Sequence, residues 1–160
     1  MVGKQSAEQI LQGKQLSGCN DWGVALTCLL RHAGFPVVFL NTAGIQGAKA
    51  RRNGDLQRLY MGHVFLEVFV ADKWIVLDSV TGEYIEDYDH DNPVIPISKR
   101  RERETAFFVL QKGRDLWDLG IRDIQVTVDL MAEFARSYPL DTLIIPRRAI
   151  KKLNARERGK

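Results

Sequence analysis

An α+β fold is what this sequence predicts, and three observations carry the prediction. Apolar residues recur at helical spacing between Cys19 and Gly34. Residues 63–78 alternate and then turn back as a β-hairpin does. Helical patterns lead and strand patterns mostly follow one another, without the strand–helix alternation of a parallel sheet. A length of 160 residues suits one domain. We place it at residues 1–150, with 151–160 as a basic C-terminal tail.

Each element has its own signal. Residues 6–16 predict a short helix, with Ser6 as N-cap and Glu8 and Gln9 in the first turn. In the next helix Trp22, Ala25, Leu26, Leu29, Leu30 and Ala33 share one face. Asn20 or Asp21 can cap its start, Gly34 can close it left-handed, and Pro36 prevents its resumption. Residues 37–40 are β-branched and aromatic and predict a buried strand. Residues 41–62, rich in glycine and basic side chains, are expected to be a functional or mobile connection, with a short helix at 56–60.

In the hairpin, a turn at Ala71 and Asp72 sets Val70 opposite Lys73 and Phe65 opposite Asp78. Asp78 and His63 then share a face diagonally; a slip of one residue would separate them. Further on, Asn92-Pro93 and Ile95-Pro96 predict a loop, residues 105–110 a strand, and 115–119 a helical turn. Residues 123–136 predict a helix with Ile124, Val128, Met131, Phe134 and Ala135 inward. A short apolar run at 143–145 and a terminal helical turn at 149–154 complete the chain.

Composition narrows the function. Hydrophobic residues make up 45% and charged residues 27%, which excludes a wholly disordered chain, a collagen-like fibre and a membrane bundle. The longest apolar stretch, residues 35–40, is far short of a membrane span, and residues 1–16 lack the apolar core of a secretory signal. Two cysteines make no disulfide scaffold, so reduced thiols and a cytoplasmic location are expected. The net charge is +3, gathered in runs at 49–52, 99–101, 147–152 and 156–160. These runs lack interleaved aromatics, which argues for solvated surface and against a nucleic-acid partner.

Three residues carry the chemistry. Cys19 opens the strongest helix, where exposed N–H groups and the helix dipole favour a thiolate, the form in which a thiol attacks. Gly18 before it lets a substrate approach the backbone. Cys28, in mid-helix, reads as core packing. His63 opens a strand beside the long connection and is the candidate base. Asp78 ends an apolar strand, where a carboxylate needs a partner such as an imidazole N–H; it also suits a turn start at Asp78-Ser79. His32 lies at a helix end, and His90 lies in an acidic run without fixed ligand spacing, so no metal site is expected.

These residues sit in three blocks that resemble the transglutaminase-like superfamily. The first is Gly18-Cys19-Asn20-Asp21-Trp22 with Leu29-Leu30-Arg31 and Gly34-Phe35-Pro36. The second is His63-Val64-Phe65-Leu66-Glu67-Val68, and the third is Trp74-Ile75-Val76-Leu77-Asp78. Order and spacing agree over residues 18–82. Gly23 stands where the family usually has alanine, a difference harmless to size; Phe65 replaces a tryptophan, and Ser79-Val80 replaces Pro-Thr. The related arylamine N-acetyltransferases begin with an arginine that Ser17-Gly18-Cys19 lacks.

The resemblance, to a small prokaryotic-type single-domain member, implies a papain/transglutaminase-like fold with a nucleophile-bearing helix on an antiparallel sheet. It implies Cys19 as nucleophile, His63 as base and Asp78 as orienter. The implied reaction is acyl transfer at a carboxamide or peptide bond of a protein or peptide substrate through a thioester, with hydrolysis favoured over cross-linking. Trp22 and Trp74 are expected to line the cleft, residues 41–62 to form a lid, and no metal or organic cofactor to be needed. No side chain identifies itself as an oxyanion donor; Gln12 and Gln15 precede the cysteine without a motif, and the Cys19 N–H is the default donor. The alternative is a catalytically idle binding or scaffold domain of the same fold.

Overall fold

The computed structural model describes residues 5–13, 16, 18–55, 57, 61–99 and 104–153. Its elements are α1 (Ala7–Gly13), α2 (Cys19–His32), β1 (Val37–Gly44), α3 (Ile45–Arg52), β2 (Gly62–Val70), β3 (Lys73–Asp78) and β4 (Glu83–Ile85). Then come β5 (Val94–Ile95), β6 (Phe107–Gly113), α4 (Ile124–Ser137), a 3-10 turn (Leu140–Thr142) and β7 (Lys151–Lys152). The class is α+β: among the described residues, four helices and one antiparallel sheet in the order β5-β6-β1-β2-β3-β4-β7. Among the described residues no helix is long and apolar enough to cross a membrane.

Local chemistry sets the helix ends. Ser6 and Gln9 cap α1 reciprocally: the Gln9 N–H donates to Ser6 Oγ at 3.2 Å, and the Ser6 N–H to Gln9 Oε1 at 2.9 Å. Gly34 closes α2 with φ of 89°, and the Phe35 N–H returns to the Leu30 carbonyl. The start of α2 differs from expectation. Gly18 is its N-cap and gives no side-chain bond; Asn20 and Asp21 already lie inside the first turn.

The hairpin has the register the sequence predicts. Val70 pairs with Lys73 and Phe65 with Asp78. Ala71 and Asp72 both take left-handed φ, 48° and 60°, which matches the twist of a two-residue hairpin turn. Every second residue of β2 therefore faces one side. Val64, Leu66 and Val68, with Val37 and Phe39 of β1, pack beneath α1 and α2. Phe65 packs on the other face with Leu40, Val76, Phe107 and the returning segment at Ile95 and Ile97. A third cluster joins α3 and α4 through Ile45, Ala48, Phe108, Met131 and Phe134. Burial of each large side chain here contributes about 1.5–3 kcal/mol.

Three expectations are corrected. Residues 41–52 are not an open connection: β1 runs on to Gly44 and α3 follows, with Asn41, Thr42, Ala43, Ile45 and Ala48 buried. The expected helix at 56–60 lies almost wholly outside the described residues. The loop with two prolines contains β5, paired to β6 at Val94↔Phe108 and Ile95↔Phe107. The terminal helical turn is instead β7, paired to β4, so the sheet takes in Lys151 and Lys152 of the expected tail. The apolar run at 143–145 lies outside any helix or strand, and its Ile144 is 82% exposed.

Candidate active site

The two faces of the sheet meet a helix start at one corner of the molecule. His63 is the second residue of β2, and Thr42 of β1 stands opposite it, its hydroxyl donating to the His63 carbonyl at 2.8 Å. The ring is buried and lies edge-on to Phe65 at 4.7 Å and against Phe107 at 5.7 Å. Its Nε2 is 3.0 Å from Asp78 Oδ1. That contact occupies Nε2, so Nδ1 is the ring nitrogen that can meet the thiol of Cys19, which lines the same cavity. The structure thus brings Cys19 and His63 to one cavity and ties His63 to Asp78 by a hydrogen bond.

Asp78 is fully buried, and each of its oxygens is used. Oδ1 accepts from His63 and from the N–H groups of Val80 (2.9 Å) and Thr81 (3.3 Å). Oδ2 is 2.5 Å from Lys99 Nζ. Its role as a turn residue and its contact with histidine, separate alternatives in the sequence, coexist. Burial pushes its carboxyl up, but the hydrogen bond and charge of His63, with Lys99 and the Val80 N–H, outweigh that and hold it well below the usual carboxylate range. For His63, burial pushes down; the hydrogen bonds and charges of Asp78 and Cys19 prevail and raise it above its ordinary value.

A cavity of about 510 Å³ opens over Cys19 and His63. Asn20 and Asn41 line one part, Met61 and Val64 another, and Thr127, Val128 and Met131 of α4 a third. Arg51 of α3 also reaches it. Gly18 provides no cap, so the first N–H groups of α2 lack intrahelical acceptors beside this cavity.

Neither tryptophan lines it. Trp22, 43% exposed, borders a separate groove with Leu11, Leu29, Val80 and Leu153. Trp74 lies near the far end of the hairpin, 5.3 Å from Phe69 and 6.2 Å from His90. Gln12 is on exposed α1, bonded to Glu8, and Gln15 lies outside the described residues. Cys28 is exposed, not packed in the core. Among the described residues no cluster of metal-ligating side chains occurs.

Sequence reasoning missed Lys99, the wall supplied by α4 and the polar pair Asn41–Gln111, joined at 3.1 Å. The demand of a buried carboxylate for more than one donor was the signal that pointed to a residue like Lys99. No protein-family model, no curated protein and no solved structure matches this chain, so its function is to be read from the geometry at Cys19, His63 and Asp78.

Proposed function

We propose that this chain is a cysteine-dependent acyl-transfer enzyme of papain/transglutaminase-like architecture, acting on carboxamide or peptide bonds. The observation that carries the proposal is that Cys19 and His63 line one open cavity while Asp78 holds His63 by its Nε2. The proton of Cys19 passes to His63 Nδ1, and the imidazolium that forms is held by Asp78. The thiolate attacks the carbonyl carbon. The carbonyl π pair moves to oxygen, which the uncapped N–H groups at the start of α2 can receive.

His63 then donates its proton to the departing nitrogen. The C–N bond breaks and a thioester remains on Cys19. Water, deprotonated by His63, attacks the thioester and releases the acid and the thiol. The aliphatic wall of Met61, Val64, Val128 and Met131 favours an apolar acyl group next to the reacting carbon. Hydrolysis is favoured over cross-linking because nothing among the described residues builds an amine site.

Cys28 supplies an internal control. It is the more exposed thiol, so exposure alone makes it react first. Site-resolved mass spectrometry of iodoacetamide labelling at neutral pH is expected to show Cys19 labelled first, with a slower rate in a His63→Ala variant. A p-nitrophenyl butyrate burst, leaving butyryl on Cys19, is expected alongside. Labelling that follows exposure and is indifferent to His63 would leave the idle binding domain as the better account.

A further inference from the structure

Lys99 is 13% exposed and directs its ammonium at Asp78 Oδ2, on the oxygen that His63 does not use. It is held there by more than its own side chain. Lys99 and Glu104 exchange backbone hydrogen bonds of 2.9 and 3.1 Å in an antiparallel bridge. Glu104 is itself fixed, because its carboxylate accepts the N–H groups of Gln46 (2.9 Å) and Gly47 (2.8 Å) at the start of α3. The lysine therefore sits on a backbone bridge braced through Glu104.

We infer that Lys99 is a positioning residue of the candidate site, matching the charge of Asp78 so that His63 can give its proton away. The inference rests on the acyl-transfer reading. In the reactive state Cys19 and Asp78 are negative and His63 positive, so the three carry a net negative charge; Lys99 makes the four neutral. An unmatched buried carboxylate would grip the imidazolium and make it a poor acid toward the leaving nitrogen. Among the described residues, the charged and titratable groups facing His63 are Cys19 from α2, Asp78 from β3 and Arg51 across the cavity from α3; Lys99 reaches it through Asp78.

The test is the ring titration of His63 by NMR in the full chain. In Lys99→Met the midpoint is expected to move upward by about one pH unit, and Lys99→Arg is expected to leave it near the wild-type value. A lysine that merely supported the fold would lower stability without moving the midpoint. An unmoved midpoint in folded Lys99→Met overturns the inference. Should that variant not fold, Asp78→Asn is compared with Asp78→Asn/Lys99→Met. Equal midpoints support action through Asp78, and unequal midpoints overturn it. The acyl-transfer reading fails separately, on Cys19 labelling that is indifferent to His63→Ala.

Discussion

His63 reaches Asp78 diagonally across two antiparallel strands, Nε2 to Oδ1 at 3.0 Å, because Phe65 stands opposite Asp78 in the register of β2 and β3. The contact links site chemistry to stability through pH. His63 is raised when folded, so between its unfolded value, about 6.5, and its folded value the native state holds more protons than the unfolded one. That contribution is fully present below about pH 6.5 and is lost as pH rises through the folded value. Asp78 is lowered, so its contribution is present above about pH 3.9 and is lost as pH falls toward its folded value. Urea unfolding midpoints compared between wild type and His63→Gln should converge as pH rises above about 6.5.

Removing the carboxylate tests the other partner. Asp78→Asn keeps the shape but leaves Lys99, 13% exposed, without its counter-charge. Breaking one side of a buried pair costs about 3–5 kcal/mol, and partial access of water to Lys99 places the expected loss toward the low end. Urea unfolding measures it. A loss within about 0.5 kcal/mol, typical of exposed surface sites, would show that the pair is not buried in solution.

Gly23 is where the structure corrects the sequence most sharply. As a replacement for alanine it looked harmless. A Cβ there would lie 2.4 Å from Val64 Cγ1 and 2.9 Å from Phe39 Cε2. The helix carrying Cys19 thus packs on the sheet at glycine distance. Gly23→Ala should cost about 1–3 kcal/mol by overpacking, despite alanine's better helix propensity. It should also slow Cys19 labelling, because α2 must move relative to β2. Unchanged stability and labelling would contradict the close packing.

What the sequence made legible was what local pattern encodes. The face of α2, its Gly34 stop and the hairpin register all depend on neighbours within a few residues. What it hid depends on distant partners. Glycines and basic residues at 41–52 suggested an open connection, yet Glu104 caps α3 across nearly sixty residues and its apolar side packs on α4. The prolines flanking β5 masked a strand of only two residues. Trp22 has helical spacing that places it on the apolar face, but α2 shows that edge to a groove and not to the core. Lys99 belonged to a run that composition assigns to solvent, and only the fold reveals the carboxylate it faces.

The hairpin turn offers a stabilising change. Ala71 and Asp72 adopt left-handed φ without being glycine, and such positions favour Asn-Gly. Replacing Ala71 by Asn and Asp72 by Gly should raise stability by about 0.5–1 kcal/mol, since relief of left-handed strain exceeds the entropy cost of the glycine. The site should be untouched, because the turn lies at the opposite end of β2 from His63. A rise in the thermal midpoint with an unchanged Cys19 labelling rate is the expected pair of results. A fall in stability would mean that the turn leaves the left-handed region in solution.

Gly44 and Glu104 should prove energetically coupled. Gly44 has ordinary extended geometry, φ −68° and ψ 125°, so any residue could take its backbone. Space is the constraint: a Cβ would meet the Glu104 carboxyl carbon at 2.4 Å and both its oxygens at 2.7 Å. Gly44→Ala must therefore push the carboxylate off the N–H groups of Gln46 and Gly47, at a cost of about 1–3 kcal/mol. Glu104→Ala removes the same two bonds directly and should cost a similar amount, about 1–3 kcal/mol. Once that carboxylate is gone, an alanine at position 44 has nothing left to displace. The double variant should then be less destabilised than the two losses added, by about 1 kcal/mol or more. Simple additivity in urea unfolding would mean that the carboxylate does not cap α3 in solution.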